Sequence, residues 1–457
     1  MFCALREAEG IEINMKTVIM AGGRGTRIAG LNPKVPKPMI RMEGMPILEH
    51  QLSVLRRQGF TDVVLTVGYL GQNIQDYFGD GSKVSPVTGQ PFGVSIQYVE
   101  EYEPLGTAGA LYYLRDKLTE DFLLLNGDII FDVDIHRFLA YHKKKGGMAT
   151  IFTHPNDHPY DSGLICADGN QRVTNWLNKE EPRIWYKNRV NAGLHILSAD
   201  ILKKPVFQTL HKVDLDRDVL KPLVEGGELV AYDSPEYVKD MGTPERFYEV
   251  SEDIRACRVA AKNLAIKQKA VFLDRDGTLN KYVGFLRDIE ELELMEGAAE
   301  AVKRINHSGF LAIVVTNQPV VARGEVTFDK LETIHQKLET LLGTEGAYLD
   351  AIYYCPHHPD KGYEGEVAEL KIECSCRKPN PGMLLQAARD YHINLSESWM
   401  IGDSESDIAA GRNAGCRTLR LTDAKGEKGD FDTLLEAVQA IQEGWVGGTS
   451  GNRRCLL

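Results

Sequence analysis

The chain has 457 residues, enough for roughly two to three domains. Its hydrophobic content of 43% and charged content of 26% are ordinary for a globular protein. A net charge of −12, without a dense Lys/Arg stripe, argues against nucleic-acid binding. No stretch approaches the roughly 18 apolar residues of a transmembrane helix, and the acidic N-terminus lacks the apolar core of a signal peptide. We therefore expect a cytoplasmic protein that binds neither nucleic acid nor membrane.

In the first half of the chain, apolar runs alternate with segments of helical periodicity. The predicted elements are a strand at 16–20, a helix at 47–59, a strand at 62–67 and a buried strand with an acidic end at 121–128. Such alternation predicts an α/β fold with a mostly parallel sheet. We expect an N-terminal extension over residues 1–14 and a first domain over 15–250.

A second alternating segment follows a stretch of helical periodicity at 245–269, in which we expect a helical linker over 251–268. The predicted elements after it are strands at 270–273, 310–316 and 399–403 and helices at 297–307, 328–342 and 381–391. We expect a second domain over 269–440 and a C-terminal tail over 441–457. The predicted fold class is therefore two α/β domains in tandem.

The first predicted strand runs into the glycine-rich stretch AGGRGTRIAG at 21–30. Glycines let backbone N–H groups approach a polyphosphate, and arginines supply positive charge. The stretch is not a dinucleotide fingerprint, because Ile28 stands where the third glycine belongs, and no Gly-Lys-Ser/Thr of a P-loop follows. Lys37 in VPKPM, Asp128 at the end of LLNGD and Asp240 in VKDMGTPE strengthen the prediction of a phosphate site.

These residues in this order resemble the sugar-1-phosphate nucleotidyltransferases over about residues 15–250. The resemblance implies a GT-A-like domain with a Rossmann-like mixed sheet. It implies that Asp128 and Asp240 hold Mg²⁺, and that Arg27 and Lys37 are catalytic, on the departing pyrophosphate and the α-phosphate. The implied nucleotide- and substrate-binding residues are Gly22, Gly23, Gly25, Thr26, Gly106, Thr107, Lys179 and Asn191. In WLNKEEP, Asn178 stands where the family usually has Glu.

The second domain opens on VFLDRDGTLN, a short apolar run followed by Asp274 and Asp276. Two carboxylates at the end of a strand are costly unless a cation or a phosphate group neutralises them. This D-x-D-G-T resembles the haloacid-dehalogenase-like (HAD-like) phosphatases, in which the first Asp is a nucleophile and the second a general acid/base. The resemblance implies that Asp274, Asp276 and Asp403 hold Mg²⁺, whereas Asp407 orients its neighbours. The implied phosphate- and substrate-binding residues are Thr316, Asn317, Arg377 and Lys378.

A cluster of soft metal ligands precedes Arg377. Cys355-x-His357 and Cys374-x-Cys376 supply four ligands, the number in a closed tetrahedral Zn²⁺ site. A closed site leaves no position for water, so the predicted zinc is structural and stabilises a small loop. His358 is the competing ligand, but the C-x-H spacing matches the phosphatase family better.

The zinc loop and CRKPNPGM make the second domain similar to heptose-1,7-bisphosphate 7-phosphatases and, less closely, to histidinol-phosphate phosphatases. Pro319–Val321 and Ser404 depart from the usual residues. A phosphatase fused to a nucleotidyltransferase should spare the anomeric phosphate, because that phosphate is its neighbour's nucleophile. The pairing therefore implies hydrolysis of the 7-phosphate, followed by GMP transfer from GTP to heptose 1-phosphate, as in heptose-1-phosphate guanylyltransferases.

Two alternatives stay open from the sequence. The first domain could activate mannose 1-phosphate or another hexose 1-phosphate, with a histidinol-phosphate-like phosphatase behind it. Alternatively, one domain could be a regulatory module without catalysis, although the motif carboxylates of both domains are present. In each case the expected partners are small molecules, and the chain could be a monomer or a homo-oligomer.

Overall fold

The computed structural model describes residues 15–23 and 35–444. By their contacts these residues fall into two compact units. The first unit comprises the chain through Thr153, Ala167–Trp176 and Asn191–Ala260, and the second comprises His154–Cys166, Leu177–Val190 and the chain from Ala261. Within the described ranges, every helix is too short or too polar to cross a membrane.

The described chain contains eighteen strands and twelve α-helices. The strands are β1 Thr17–Met20, β2 Arg41–Met42, β3 Met45–Pro46, β4 Asp62–Val67, β5 Ser95–Glu100, β6 Phe122–Asn126, β7 Ile129–Asp132, β8 Ala149–His154, β9 Leu164–Ala167, β10 Val173–Leu177, β11 Val190–Leu197, β12 Leu229–Asp233, β13 Tyr237–Asp240, β14 Lys269–Leu273, β15 Phe310–Asn317, β16 Ala351–Cys355, β17 Trp399–Gly402 and β18 Arg417–Arg420. The helices are α1 Ile47–Arg57, α2 Gly71–Phe78, α3 Ile135–Lys145, α4 Pro222–Glu225, α5 Pro244–Arg255, α6 Arg258–Ala261, α7 Ala298–Asn306, α8 Pro319–Ala322, α9 Phe328–Thr344, α10 Gly382–Asp390, α11 Glu405–Ala414 and α12 Leu434–Gln442.

The first unit is built on a mixed sheet in which β11, β6, β1, β4 and β5 are consecutive neighbours. Strands β1, β4, β5 and β6 are parallel, whereas β11 runs antiparallel to β6. A separate antiparallel ladder joins β13 to β7 and pairs Asp240 with Ile129. Buried aliphatic side chains from β1, β4 and β6 pack with α1 and α3 and form the core. The mixed sheet confirms the predicted fold class of this part of the chain.

The second unit contains a five-stranded parallel sheet in the order β16-β15-β14-β17-β18. Alternate residues of β14 lie in different cores: Val271 and Leu273 belong to one, and Ala270 and Phe272 to the other. Both faces of the sheet are therefore covered, as expected for parallel strands connected by helices. This arrangement confirms the predicted α/β fold of the HAD-like part.

Two segments from the first half of the chain pack within the second unit. In Leu177–Val190, the Tyr186 backbone N–H donates to Thr340 Oγ1 over 3.0 Å, and Arg189 forms a buried ion pair with Glu339 at 3.3 Å. The two units group residues by their contacts in space and are not continuous in sequence, so they do not test the domain boundaries predicted from the sequence, which stay predictions.

The predicted linker is helical only in part. α5 ends at Arg255 and α6 at Ala261, and between them Cys257 has a left-handed φ of +57°. Beyond them, Asn263 Oδ1 accepts the Ala265 backbone N–H over 2.8 Å. An Asn side chain that binds nearby backbone competes with helical hydrogen bonding, which explains the turns before β14.

Candidate active sites

The carboxyl ends of three parallel strands bring residues predicted for the phosphatase site to one edge of the second sheet. Asp274 follows β14, Thr316 lies near the end of β15, and Asp403 follows β17. The Asp274 backbone N–H donates to Ile401 O over 2.9 Å, which continues the ladder between β14 and β17 to the site. Since the strands are parallel, residues distant in sequence end at the same edge.

Lys378 is the buried cation of this site. Its Nζ lies 2.6 Å from Asp274 Oδ1 and 2.6 Å from Asp407 Oδ1, and it donates to Val315 O over 2.8 Å. Burial alone would lower the pKa of Lys378, but the two carboxylates raise it above its usual value. Lys378 therefore carries its charge at neutral pH.

Three buried carboxylates form a group at this site, and two of them contact Lys378. Oxygen atoms of Asp274, Asp403 and Asp407 lie within 4.8 Å of one another, and all three residues are buried. Burial, then the Asp407 carboxylate, raise the pKa of Asp274 to about 7, against the opposing effect of Lys378. Burial and Asp407 also raise the pKa of Asp403 to about 6. Because one lysine cannot balance three buried carboxylates, this group is suited to a divalent cation bound by oxygen ligands.

The Asp276 carboxylate is not part of this group. It accepts hydrogen bonds from Arg275 Nη2 at 2.9 Å, Gln318 Nε2 at 2.9 Å and Asn280 Nδ2 at 3.0 Å. Burial alone would raise the pKa of Asp276, but Arg275 and the two amides lower it. The structure thus brings Asp407 into the carboxylate group in the place that the sequence assigned to Asp276, whose metal-binding role stays a prediction.

Gly277 explains why glycine follows the second Asp of the motif. It has φ of +86°, and a Cβ at this position would lie 2.1 Å from Asp403 Oδ2. Only glycine tolerates both this backbone conformation and the close approach of the carboxylate. The glycine of the D-x-D-G sequence therefore permits the close approach of Asp403, which lies more than a hundred positions later in the chain.

Thr316 and Asn317 are the last two residues of β15. Thr316 Oγ1 accepts from Gln318 Nε2 over 2.9 Å. Asn317 bonds both backbone groups of Lys378: its Nδ2 donates to Lys378 O, and its Oδ1 accepts the Lys378 N–H, each over 3.0 Å. Asn317 therefore holds the backbone that positions the buried lysine.

The four predicted soft ligands come together into one cluster. The Sγ atoms of Cys355 and Cys374 lie 3.5 Å apart, those of Cys374 and Cys376 lie 3.2 Å apart, and His357 Nδ1 lies 3.3 Å from Cys376 Sγ. A tetrahedron with metal–sulfur bonds of about 2.3 Å has edges of about 3.8 Å. These spacings are slightly shorter, so the cluster fits a closed metal site.

The cluster is connected directly to Arg377, a residue predicted to bind substrate. The Arg377 backbone N–H donates to Cys374 Sγ over 3.3 Å, and its guanidinium donates to His357 O over 3.2 Å. His358, the competing ligand, instead accepts the Asp360 backbone N–H over 3.2 Å. The structure thus brings His357 and not His358 into the cluster.

In the first unit, the two carboxylates predicted to bind metal lie close together: Asp240 ends β13, and Asp128 lies in the turn directly before β7, the strand that pairs with β13. Lys37 Nζ donates to the Asp128 carboxylate, and Asp128 O accepts the Met241 N–H over 2.9 Å. Arg246 Nη1 binds both oxygens of Asp240, at 3.0 and 2.8 Å. Burial alone would raise the pKa of Asp240, but Arg246 lowers it, so the carboxylate is ionised at neutral pH.

Of the glycine-rich stretch at 21–30, the structure describes residues 21–23. Gly22 and Gly23 follow β1, and a Cβ on Gly22 would lie 2.3 Å from Glu101 Oε1, so this glycine permits the close approach of that side chain. The other predicted residues of the stretch lie outside the described residues; they are Gly25, Thr26 and Arg27.

The remaining predicted substrate residues are distributed over both units. Gly106 has a φ of +82°, Thr107 Oγ1 accepts the Leu215 N–H over 2.7 Å, and Asn191 Nδ2 donates to Asp216 Oδ1 over 3.1 Å, all in the first unit. Lys179 belongs to the second unit, where its Nζ lies 3.9 Å from Glu180 Oε1 and its side chain is 59% exposed.

Sequence reasoning missed several residues that shape these sites. Arg275 is fully buried and contacts His335 Nε2 at 3.3 Å, Gln318 links Asp276 to Thr316, and Arg246 pairs with Asp240. Arg275 lies between the two aspartates of the D-x-D motif, and Gln318 directly follows Asn317, so their positions in the sequence could have indicated a role. Arg246 lies in the first turn of α5, and its spacing from Asp240 in the sequence does not indicate a contact.

Comparisons with known proteins show similarity in two separate parts of the chain. Residues 16–256, more than half of the chain, match the family described as nucleotidyl transferase, and residues 375–439 match a HAD-hydrolase-like family. D-glycero-beta-D-manno-heptose-1,7-bisphosphate 7-phosphatase of Escherichia coli K12 is 43% identical over 156 residues, which are 34% of this chain and 79% of that protein. D-glycero-alpha-D-manno-heptose-1,7-bisphosphate 7-phosphatase of Burkholderia mallei is 40% identical over 156 residues, which are 34% of this chain and 80% of that protein.

Among solved structures, HddC from Yersinia pseudotuberculosis is 26% identical, with a TM-score of 0.44, over 52% of this chain and 99% of that one. The family matches cover separate parts of the chain: the first includes Asp128 and Asp240, and the second includes Asp403 and Asp407. The chain therefore belongs to the nucleotidyl transferase family and, through its second part, to the family of the heptose-1,7-bisphosphate 7-phosphatases, so that it joins a nucleotidyltransferase to a phosphatase.

Proposed function

We propose that the chain catalyses two consecutive steps in the formation of a heptose nucleotide. The second part, proposed as residues 269–440, hydrolyses the 7-phosphate of heptose 1,7-bisphosphate. The first part, proposed as residues 15–250, then transfers GMP from GTP to the remaining 1-phosphate, giving GDP-heptose and pyrophosphate.

The observation that carries this proposal is the presence of two separate carboxylate sites in one chain. One contains the D-x-D motif with Lys378, and the other contains Asp128 with Lys37. A nucleotidyltransferase needs the anomeric phosphate as its nucleophile, so a useful phosphatase partner removes a different phosphate. The similarity to proteins named 7-phosphatases supports the 7-position.

In the phosphatase step, Asp274 would attack the phosphorus of the 7-phosphate, and the bond from phosphorus to the sugar oxygen would break. The aspartyl phosphate would then be cleaved by water, releasing inorganic phosphate. Asp276 would give a proton to the leaving oxygen and take one from water, and its lowered pKa suits the second role. Thr316 and Lys378 would bind phosphoryl oxygens, and Arg377 would contact the sugar phosphate.

Metal ions complete both proposed sites. Asp274 and Asp403, with Asp276 by resemblance, would hold Mg²⁺ in the phosphatase, and Asp128 with Asp240 would hold it in the nucleotidyltransferase. Mg²⁺ would neutralise phosphate charge that otherwise repels an anionic nucleophile. The ligand set Cys355, His357, Cys374 and Cys376 fits a structural Zn²⁺ that stabilises the loop before Arg377.

In the transferase step, an oxygen of the sugar 1-phosphate would attack the α-phosphorus of the nucleotide in line, and pyrophosphate would leave. The protein would supply positioning and charge neutralisation. Lys37 is placed beside Asp128, where it can meet the α-phosphate. Arg27 would bind the departing pyrophosphate, and Asn191 with Thr107 would contact the substrates.

The test is to incubate the full chain with heptose 1,7-bisphosphate, Mg²⁺ and each nucleoside triphosphate in turn. Phosphorus NMR follows the anomeric and terminal phosphates separately, and mass spectrometry identifies the sugar nucleotide. We expect the terminal signal to disappear first, and GDP-heptose to form only with GTP. Loss of the anomeric signal before the terminal one, in the absence of nucleotide, would contradict the proposed order.

A further inference from the structure

Three segments of the first unit converge around the side chain of Asp216, which no sequence motif singled out. The turn that carries Gly106 and Thr107 is docked onto the segment before Asp216: the Val213 N–H donates to Leu105 O over 2.9 Å, and the Ala108 N–H donates to Val213 O over 3.1 Å. The third segment is β11, which carries Asn191. A short π-helix, Leu215–Leu220, contains Asp216, and such helices often occur at functional sites.

A chain of hydrogen bonds orients the Asn191 amide toward Asp216. Asn191 Oδ1 accepts the Gly193 backbone N–H over 3.3 Å, and it lies 3.0 Å from His195 Nε2, which donates to it. The amide nitrogen therefore points the other way and donates to Asp216 Oδ1 over 3.1 Å. His195 is fully buried, and burial lowers its pKa to about 3, so the imidazole is neutral and orients the amide without adding charge.

This network lies beside the proposed reaction site. A Cβ on Gly193, which has φ of +75°, would lie only 2.6 Å from Asn126 Nδ2. Asn126 ends β6, and the strand leads after one further residue into Asp128. Asp216 is thus linked through Asn191, Gly193 and Asn126 to the segment that carries a proposed metal ligand.

The Asp216 carboxylate has capacity to accept more hydrogen bonds. Burial and the nearby Asp214 raise the pKa of Asp216 to about 6, against the opposing effect of Lys221. Within the described residues, Oδ1 receives the Asn191 amide, and no protein donor meets Oδ2. A partly buried carboxylate of this kind is stabilised when further donors reach it, and sugar hydroxyl groups are such donors.

We propose that Asp216 binds a hydroxyl group of the sugar 1-phosphate and so takes part in selecting the sugar. His195 is a positioning residue, and Asn191 orients Asp216 in addition to its own proposed contact with the substrate. The inference rests on the proposed nucleotidyl transfer to a sugar 1-phosphate. A charged acceptor is well suited to this role because it requires a donor at one position of the sugar. An analogue without that hydroxyl would leave the carboxylate buried without its donor, which is unfavourable.

The test compares Asp216→Asn with Asp218→Asn in nucleotidyl transfer by the full chain. Asn keeps the size of Asp and can still accept from Asn191, but it removes the charge. Asp218 is a matched control in the same helix, where it pairs with exposed Arg217 at 2.7 Å. We expect Asp216→Asn to raise the KM for the sugar 1-phosphate by about 10- to 100-fold, and to change the KM for the nucleotide less than twofold. Asp218→Asn should leave both constants within about twofold.

A series of monodeoxy sugar 1-phosphates separates binding from a structural effect. For one deoxy analogue, the kcat/KM of wild type should fall by about the same factor as the kcat/KM of Asp216→Asn falls with the parent sugar. Combining that analogue with Asp216→Asn should lower kcat/KM little further. The inference is overturned if every analogue reacts with wild type as well as the parent does, a result that does not depend on how the variant folds. It is also overturned if Asp216→Asn lowers kcat/KM by the same factor for the parent sugar and for every deoxy analogue.

Running the series with hexose 1-phosphates as well as the heptose compound distinguishes two failures. If the heptose 1-phosphate is inert but a hexose 1-phosphate reacts, the proposed substrate is wrong, and the deoxy series of the hexose still tests Asp216. If heptose 1-phosphate reacts and the effect of Asp216→Asn is the same for every analogue, only the proposed role of Asp216 is wrong.

Discussion

Replacing Asp274 by Asn should abolish phosphatase activity and, without Mg²⁺, make the second part more stable. The change removes the proposed nucleophile and one of three buried carboxylates near a single lysine. Lys378 keeps its 2.6 Å ion pair with Asp407. We expect phosphate release to fall on the order of a thousandfold or more. Nucleotidyl transfer from a ready-made sugar 1-phosphate should continue, because Asp128 and Asp240 belong to the other site.

The stability gain follows from the raised pKa of Asp274. That pKa is about 7 in the folded protein against an ordinary 3.8, a difference of about three units. At about 1.4 kcal/mol per unit, ionisation costs the metal-free fold up to about 4 kcal/mol. Because the folded value is the higher one, the cost is absent below about pH 4 and accumulates as the pH rises toward 7. Asn does not ionise, so the variant's advantage should grow over that window.

Thermal unfolding of the second part at about pH 5 and about pH 8 measures this advantage. A change of 1 kcal/mol shifts Tm by about 2–4 °C in a domain of this size, so several degrees are expected at the higher pH. The buffer should lack Mg²⁺ but contain no EDTA, which would remove metal from the Cys/His cluster. Added Mg²⁺ should reduce the difference, because a bound cation offsets the same charge.

Asp329→Asn is the matched control, since it removes an exposed carboxylate from the first turn of α9. It should change stability little and independently of Mg²⁺. The charge argument is refuted if Asp274→Asn is less stable than wild type at about pH 8 without Mg²⁺. Loss of both enzymatic activities in Asp274→Asn would instead refute the assignment of two separate sites.

Three further predictions concern other parts of the molecule. Cys374→Ser should lower zinc content, measured by elemental analysis of protein purified without chelator, and destabilise the second part; wild type without zinc would contradict the assignment. Gly277→Ala should destabilise the fold by at least about 1–2 kcal/mol and impair phosphate release, because its Cβ would lie 2.1 Å from Asp403 Oδ2. Normal activity of that variant would show that Asp403 moves freely. Asp240→Asn should abolish nucleotidyl transfer while phosphate release stays within about twofold of wild type, and equal loss of both would argue against separate metal sites.

The sequence by itself predicted the residues at the ends of the central strands. A short apolar run followed by a carboxylate specifies a buried strand with an acidic end, and parallel strands bring such ends to one edge. Local patterns placed Asp274, Thr316 and Asp403 at the ends of predicted strands, and the resemblance to the HAD-like phosphatases then assigned them to one site. The Cys and His ligands were equally recognisable, because their short spacings already limit where the side chains can meet.

Tertiary structure decided which groups face one another within each site. Asp276 turns toward Gln318, which the parallel pairing of β14 and β15 places beside it, while Asp407 approaches Lys378 from α11. Asp216 meets Asn191 although 25 positions separate them in the chain. Local spacing specifies strands and turns, but the direction of a buried polar side chain depends on donors from distant segments. Those partners follow from packing of the whole unit, because a buried carboxylate is stable only where donors or cations surround it.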